Sequence, residues 1–80
     1  MDKHVTIYST PTCHFCHMAK EYFTENNIPF TNHDVSVDAE KRAEMIQLTG
    51  QLGVPVIVID GSAMVGFDRD KLAAKLGITA

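Results

Sequence analysis

Hydrophobic and polar positions divide the chain into short alternating runs and longer periodic ones. Residues 4–8, "HVTIY", alternate and are β-branched, which predicts a strand. "STPT" follows as a loop. From Cys13 to about Asn27 the residues are good helix formers, with apolar positions at Phe15, Met18, Ala19, Tyr22 and Phe23. The asparagines of "NNIP" tolerate a left-handed cap, and Pro29 cannot continue the helix. Residues 30–35 predict a second strand. Ser36 is the expected N-cap of a second helix, with Asp38 and Glu40 favouring its first turn and Gly50 stopping it after Thr49. "PVIVI", residues 55–59, predicts a buried strand. Asp60 and Gly61 supply a tight turn, and residues 63–65 a short returning strand. Asp68 is expected to cap a last helix that runs to Leu76, with Gly77 past its end.

The predicted order is β-α-β-α-β-β-α. A strand–helix–strand crossover makes a right-handed parallel pair. The last two strands form an antiparallel hairpin. An α/β fold follows, with a four-stranded mixed sheet and three helices covering both faces. Periodicity offers Phe23, Phe30, Val35, Ile46, Leu48, Val56, Val58, Leu72 and Leu76 as core. Met18, Met45 and Met64 are expected to fill the core or its rim, as Met usually does.

Length and charge narrow the function. The chain has 80 residues, which predicts one domain over positions 1–80. Such a chain buries only roughly 60% of its unfolded surface, so the core is modest. Net charge is −3, with both signs mixed along the chain, so no basic block suggests nucleic acid. The longest apolar run, "VPVIVI", is too short to span a bilayer. The N-terminus "MDKHVTIYST" lacks a signal pattern. A cytoplasmic protein without membrane or nucleic-acid partners is expected.

"PTCHFCHMAK", residues 11–20, carries the candidate chemistry. In a reducing compartment a lone Cys-x-x-Cys is catalytic or metal-binding more often than structural. A bridge closing so short a loop also removes little chain entropy. The run matches the haem-attachment pattern C-x-x-C-H, but that use needs an exported chain and a fold that wraps a haem. A zinc site normally draws its second ligand pair from a distant segment, and no second Cys/His pair exists here. No metal site is expected, although a site shared between two chains stays open. The dithiol reading uses position. Cys13 falls where the first loop enters a helix, and unpaired amides and the helix dipole there stabilise a thiolate. Cys16 lies one turn deeper on the same face. Cys13 is then the attacking thiolate and Cys16 the resolving thiol.

"IYSTPTCHFCHMAKEYF", "GVPVIVIDG" and "VGFD" together resemble the glutaredoxins, and more closely the short glutaredoxin-like redoxins of the thioredoxin superfamily. The likeness spans nearly the whole chain. It implies a thioredoxin-like fold and a thiol–disulfide oxidoreductase with Cys13 as nucleophile and Cys16 as resolving cysteine. It implies a cis Pro55 that presents the Val54 backbone to an extended substrate or to glutathione. Gly66, Phe67 and Asp68 correspond to the loop that receives glutathione's γ-glutamyl carboxylate at a helix N-terminus. Tyr8, Thr10 and Phe15 complete the implied substrate-binding set. Protein disulfides are the implied partners of a monomer, with glutathione as co-substrate or a thioredoxin reductase as electron source, and no tightly bound cofactor. The chain departs from the family pattern in four places. His14 replaces a common proline, Thr10 stands where many members carry Lys or Arg, Gly53 replaces a threonine, and Val65 replaces the first of two glycines. These changes weaken the expected hold on glutathione. They also leave open a redoxin serving ribonucleotide reductase, or a dimer holding an iron–sulfur cluster through Cys13 and glutathione. A protonated His14 or His17 near Cys13 would favour the thiolate further. Otherwise both point to water. Phe15, between the cysteines, is expected at the surface, facing partners.

Overall fold

The computed structural model describes residues 4–77. Seven elements follow one another: β1 (Val5–Ser9), α1 (His14–Glu25), β2 (Thr31–Asp34), α2 (Ala39–Thr49), β3 (Val56–Ile59), β4 (Ser62–Val65) and α3 (Arg69–Leu76). The sheet order is β2-β1-β3-β4. β1 and β2 are parallel, while β1/β3 and β3/β4 are antiparallel. This is the predicted mixed sheet with three helices.

Strand alternation sorts the core into two layers. Val5, Ile7, Ile57 and Ile59 point to one side, where they meet Ala19, Tyr22 and Phe23 of α1 and Leu72 of α3. Tyr8 and Val56 point to the other, where they meet Val35 and Met45 of α2. Every residue of β1 is buried, so this central strand is covered on both faces. Phe30 and Leu76 pack at the margin of the first layer and Val58 at that of the second, as expected.

Two features of α2 differ from the sequence reading. Its N-cap is Asp38, whose carboxylate accepts the Lys41 amide at 3.0 Å, and not Ser36. Ser36 is engaged earlier, since Asp34 Oδ1 accepts both its amide and its hydroxyl in the turn after β2. Ile46 and Leu48 are exposed, not core. The inward stripe of α2 is centred on Met45, and residues one and three positions away flank it. Arg42 and Thr49 border the stripe with polar bonds, the guanidinium donating to the Val35 carbonyl and the hydroxyl to the Met45 carbonyl.

Between β3 and β4, Asp60 and Gly61 both take positive φ, 49° and 85°. That pair is the combination a tight hairpin turn needs. Asn27 likewise adopts a left-handed φ of 56° just past α1.

The topology gathers four chain ends at one edge of the sheet. β1 and β2 finish there, β3 begins there, and β4 finishes there. The loop carrying Cys13, the segment before Val56 and the segment after Val65 therefore meet on one side of the molecule.

Candidate active site

Cys13 is the N-cap of α1, with extended backbone (φ −86°, ψ 113°). Its sulfur accepts the backbone N–H of Cys16 at 3.2 Å. One of the unpaired amides at the start of the helix is thus aimed at this sulfur. The Cys13 amide in turn donates to the Thr10 carbonyl at 3.3 Å, which closes the loop that presents the sulfur. Cys13 is partly exposed and Cys16 fully buried. Burial pushes the Cys16 thiol up to about 12, helped by its hydrogen bond with Cys13 and opposed by the Thr10 amide and the Lys20 charge. One sulfur is thus open and amide-bonded, and the other lies beneath it as a protonated thiol.

The β1/β3 register brings the remaining elements into place. Tyr8 pairs with Val56, so the chain before Val56 runs beside Ser9 and the dithiol loop. The Val54–Pro55 bond is cis, as the resemblance implies. Pro55 is buried and Val54 half-buried. On the far side of Pro55, its carbonyl accepts the Gly66 amide at 2.8 Å, which ties the loop after β4 to the same edge. Gly66 has φ 88°, a conformation that side-chain-bearing residues rarely adopt.

The remaining expected site residues are placed unequally. Thr10 is half-buried in the dithiol loop, and Phe15 is 57% exposed with its ring edge-on to His14 at 5.7 Å. Phe67 is half-buried against the core, its ring 6.0 Å from that of Tyr22. Asp68 is the N-cap of α3 and accepts the Lys71 amide at 3.2 Å, so one of the amides expected to bind a ligand carboxylate already holds the chain's own. Tyr8 does not face the site. Its ring is in the core and its hydroxyl donates to Glu44 of α2. His17 Nε2 donates to the Pro11 carbonyl at 2.7 Å, so this ring fastens the loop in front of Cys13.

Sequence reasoning passes over Arg69 and reads Lys20 as a solvated helix residue with at most a weak effect on the thiolate. Arg69 lays its guanidinium over the Tyr22 ring, 5.6 Å from the centroid, at the start of α3. Lys20 Nζ turns toward the sheet and reaches Ser9 Oγ at 3.5 Å. The spacing of Lys20 from Cys16, four residues along a helix, was the available signal for the second. Among the described residues, no group of three or more His, Cys, Asp or Glu side chains could hold a metal ion. No described helix is long and apolar enough to cross a membrane.

Two buried protons give a pH prediction. Burial and the Glu44 carboxylate push Tyr8 up to about 12, from an ordinary value of about 10. Cys16 rises likewise from an ordinary value of about 9. The folded chain holds both protons more tightly than the unfolded chain does. This stabilisation is complete below the ordinary values and is lost as pH rises through the folded ones. The urea midpoint is therefore expected to fall between about pH 9 and about pH 12. Tyr8→Phe should make the fall shallower above about pH 10. A parallel fall in the two proteins would show that Tyr8 contributes nothing.

A Cys-x-x-Cys at a helix N-terminus, a cis proline across the sheet edge and this strand order occur together in known proteins. The family profile described as glutaredoxin matches residues 5–64. The chain is 49% identical over 74 residues to an uncharacterized glutaredoxin-like 8.6 kDa protein of a rubredoxin operon in Clostridium pasteurianum, covering 89% of this chain and 99% of that one. It is 33% identical over 69 residues to the glutaredoxin-like protein NrdH of Lactococcus lactis, covering 86% and 94%. Among solved structures, the thioredoxin-like protein BC3987 superposes with a TM-score of 0.84 at 32% identity, covering 90% of this chain and 99% of that one. The fold is thus thioredoxin-like, the activity is that of a thiol–disulfide oxidoreductase, and the chain belongs to the glutaredoxin family.

Proposed function

We propose that the chain reduces protein disulfides and glutathione mixed disulfides through the Cys13–Cys16 dithiol, in a reducing compartment such as the cytoplasm. The observation that carries this reading is the arrangement of the two sulfurs: Cys13 open and accepting the Cys16 amide, Cys16 buried and protonated. In the first step the Cys13 thiolate attacks a substrate disulfide. One substrate sulfur leaves as a thiolate, and a mixed disulfide forms. In the second, Cys16 loses its proton and attacks Cys13 Sγ, which releases the second substrate sulfur and leaves a Cys13–Cys16 disulfide. An external reductant then restores the dithiol. The exposed Phe15 ring offers an apolar contact to a protein substrate beside the reacting sulfur. The backbone of Val54, next to the cis bond, offers hydrogen bonds to an extended segment.

A second reading concerns the electron source. Thr10 carries no charge, and Asp68 occupies one amide at the start of α3. Both features weaken binding of the two carboxylates of glutathione. The likeness to NrdH over 94% of that protein's length supports the short-redoxin side of the resemblance, for which a thioredoxin reductase is the implied electron source. The two sources are separated by supplying NADPH with either glutathione and glutathione reductase or thioredoxin reductase, and following reduction of the Cys13–Cys16 bond. The second reading predicts faster recharging by thioredoxin reductase. Recharging by glutathione alone would reverse that choice, and failure of the reduced protein to reduce any disulfide would overturn the proposed function.

A further inference from the structure

Cys16 is fully buried, yet the second step requires it to lose a proton. Burial alone opposes that ionisation. Lys20 follows Cys16 by four positions on α1, so the two side chains lie on one helix face. A helix lysine ordinarily extends its ammonium into water. Here the ammonium turns back to the sheet. Lys20 is half-buried, and Nζ donates to Ser9 Oγ at 3.5 Å. Ser9 is only 1% exposed, and its hydroxyl donates to Asn32 Oδ1 at 2.6 Å. With its proton given to Asn32, that hydroxyl offers its lone pairs to Lys20. The chain Asn32–Ser9–Lys20 therefore crosses from β2 over β1 to α1 and anchors the charge on the inner side of the helix. Among the described residues, Cys13 and Lys20 are the titratable groups acting on the Cys16 sulfur. Cys13 opposes its ionisation, and Lys20 favours it.

We propose that Lys20 is a positioning residue for the resolving step, held inward by the Asn32–Ser9 pair so that its ammonium stabilises the Cys16 thiolate as it attacks Cys13. The inference rests on the dithiol cycle proposed above and assigns the charge that assists its second half. In that step the Cys16 proton passes to solvent, and the sulfur's electron pair forms the bond to Cys13 Sγ. The bond between Cys13 and the substrate sulfur breaks. The substrate thiolate leaves with that bonding pair and takes up a proton. The dithiol is oxidised by two electrons, and the substrate disulfide is reduced to two thiols.

The size of the effect follows from two opposing trends. One unit in the Cys16 pKa changes its thiolate fraction about tenfold, while nucleophilicity moves about threefold the other way, leaving roughly threefold in rate.

Ellman's reagent separates the two steps in a single mixing experiment with the reduced protein. Attack by Cys13 releases the first thionitrobenzoate, and resolution by Cys16 releases the second. Lys20→Met is expected to keep the first phase near the wild-type rate and to slow the second roughly threefold. Its second-phase rate should also be displaced to higher pH across about pH 6 to about pH 9. Lys20→Arg should restore both the rate and the profile, because the charge returns. Ser9→Ala should fall between, because the anchor is lost and the charge is kept. A purely structural role would slow both phases together and leave the profile in place. Equal second-phase rates in wild type and Lys20→Met, or a loss that Lys20→Arg fails to repair, would overturn the inference while the cycle stands. Release of a single equivalent by the wild type would instead contradict the dithiol cycle, and the inference would fall with it.

Discussion

Replacing Cys13 by Ser is expected to abolish disulfide reduction, lowering turnover by a factor on the order of 10³ or more, because the nucleophile itself is removed. A hydroxyl at the N-cap can still accept the amide of residue 16, so the helix start should survive and the protein should remain folded. Cys16→Ser is expected to behave differently. Cys13 remains open and hydrogen-bonded at the helix entrance, so the first attack proceeds. The mixed disulfide then accumulates, because no internal thiol resolves it. A protein disulfide substrate stays trapped at that stage. A glutathionylated peptide does not, because attack on the peptide–glutathione bond leaves glutathione on Cys13, and a second glutathione can remove it. Turnover of the glutathionylated peptide should thus be lost in Cys13→Ser and partly retained in Cys16→Ser, while reduction of protein disulfides is lost in both. Full retention of peptide turnover in Cys13→Ser would contradict the assignment of the nucleophile.

The second large effect is on stability. Phe23→Ala is expected to cost about 3–5 kcal/mol, since a fully buried aromatic is replaced by a cavity. For a domain of this size, whose total stability is of order 5–10 kcal/mol, that is a large share. The melting temperature should drop by roughly 15–30 °C. The reason lies in what Phe23 touches. With Ala19 and Tyr22 it docks α1 on Val5, Ile7 and Ile57, and its ring also meets Phe30 at 5.4 Å. The same docking carries Cys16 inward at the other end of the helix. Partial unfolding of Phe23→Ala should therefore expose Cys16 to alkylation. Ile46→Ala, at an exposed position of α2, is the matched control and should cost well under about 1 kcal/mol. Circular dichroism melts of the two variants check both values. Equal melting temperatures would contradict the core assignment.

Much of the fold is legible in the amino-acid sequence, because strands and helices are local choices. The alternation of residues 4–8, the helix formers after Cys13 and the turn at Asp60 and Gly61 each identify their element without help from distant residues. The exposed ring of Phe15 follows from its place between two cysteines. Features that depend on distant partners are less legible. Ser36 and Asp38 are both good N-caps, and the choice falls to Asp38 because Asp34 engages Ser36 first. Ile46 and Leu48 are apolar, but α2 turns Met45 inward and leaves them at its sides. Tyr8 lies next to the dithiol loop in sequence, yet the strand register sends its ring to the α2 face and its hydroxyl to Glu44. The direction of Lys20 depends on a serine eleven residues earlier and an asparagine on the neighbouring strand.

The division of labour between the sulfurs is open to direct mapping. Fully reduced wild-type protein is treated with substoichiometric iodoacetamide near neutral pH, and the modified cysteine is identified by peptide mass spectrometry. A partly exposed, amide-bonded sulfur above a buried, protonated one predicts carbamidomethylation at Cys13 with Cys16 unmodified. Labelling first at Cys16, or equally at both, would contradict that arrangement.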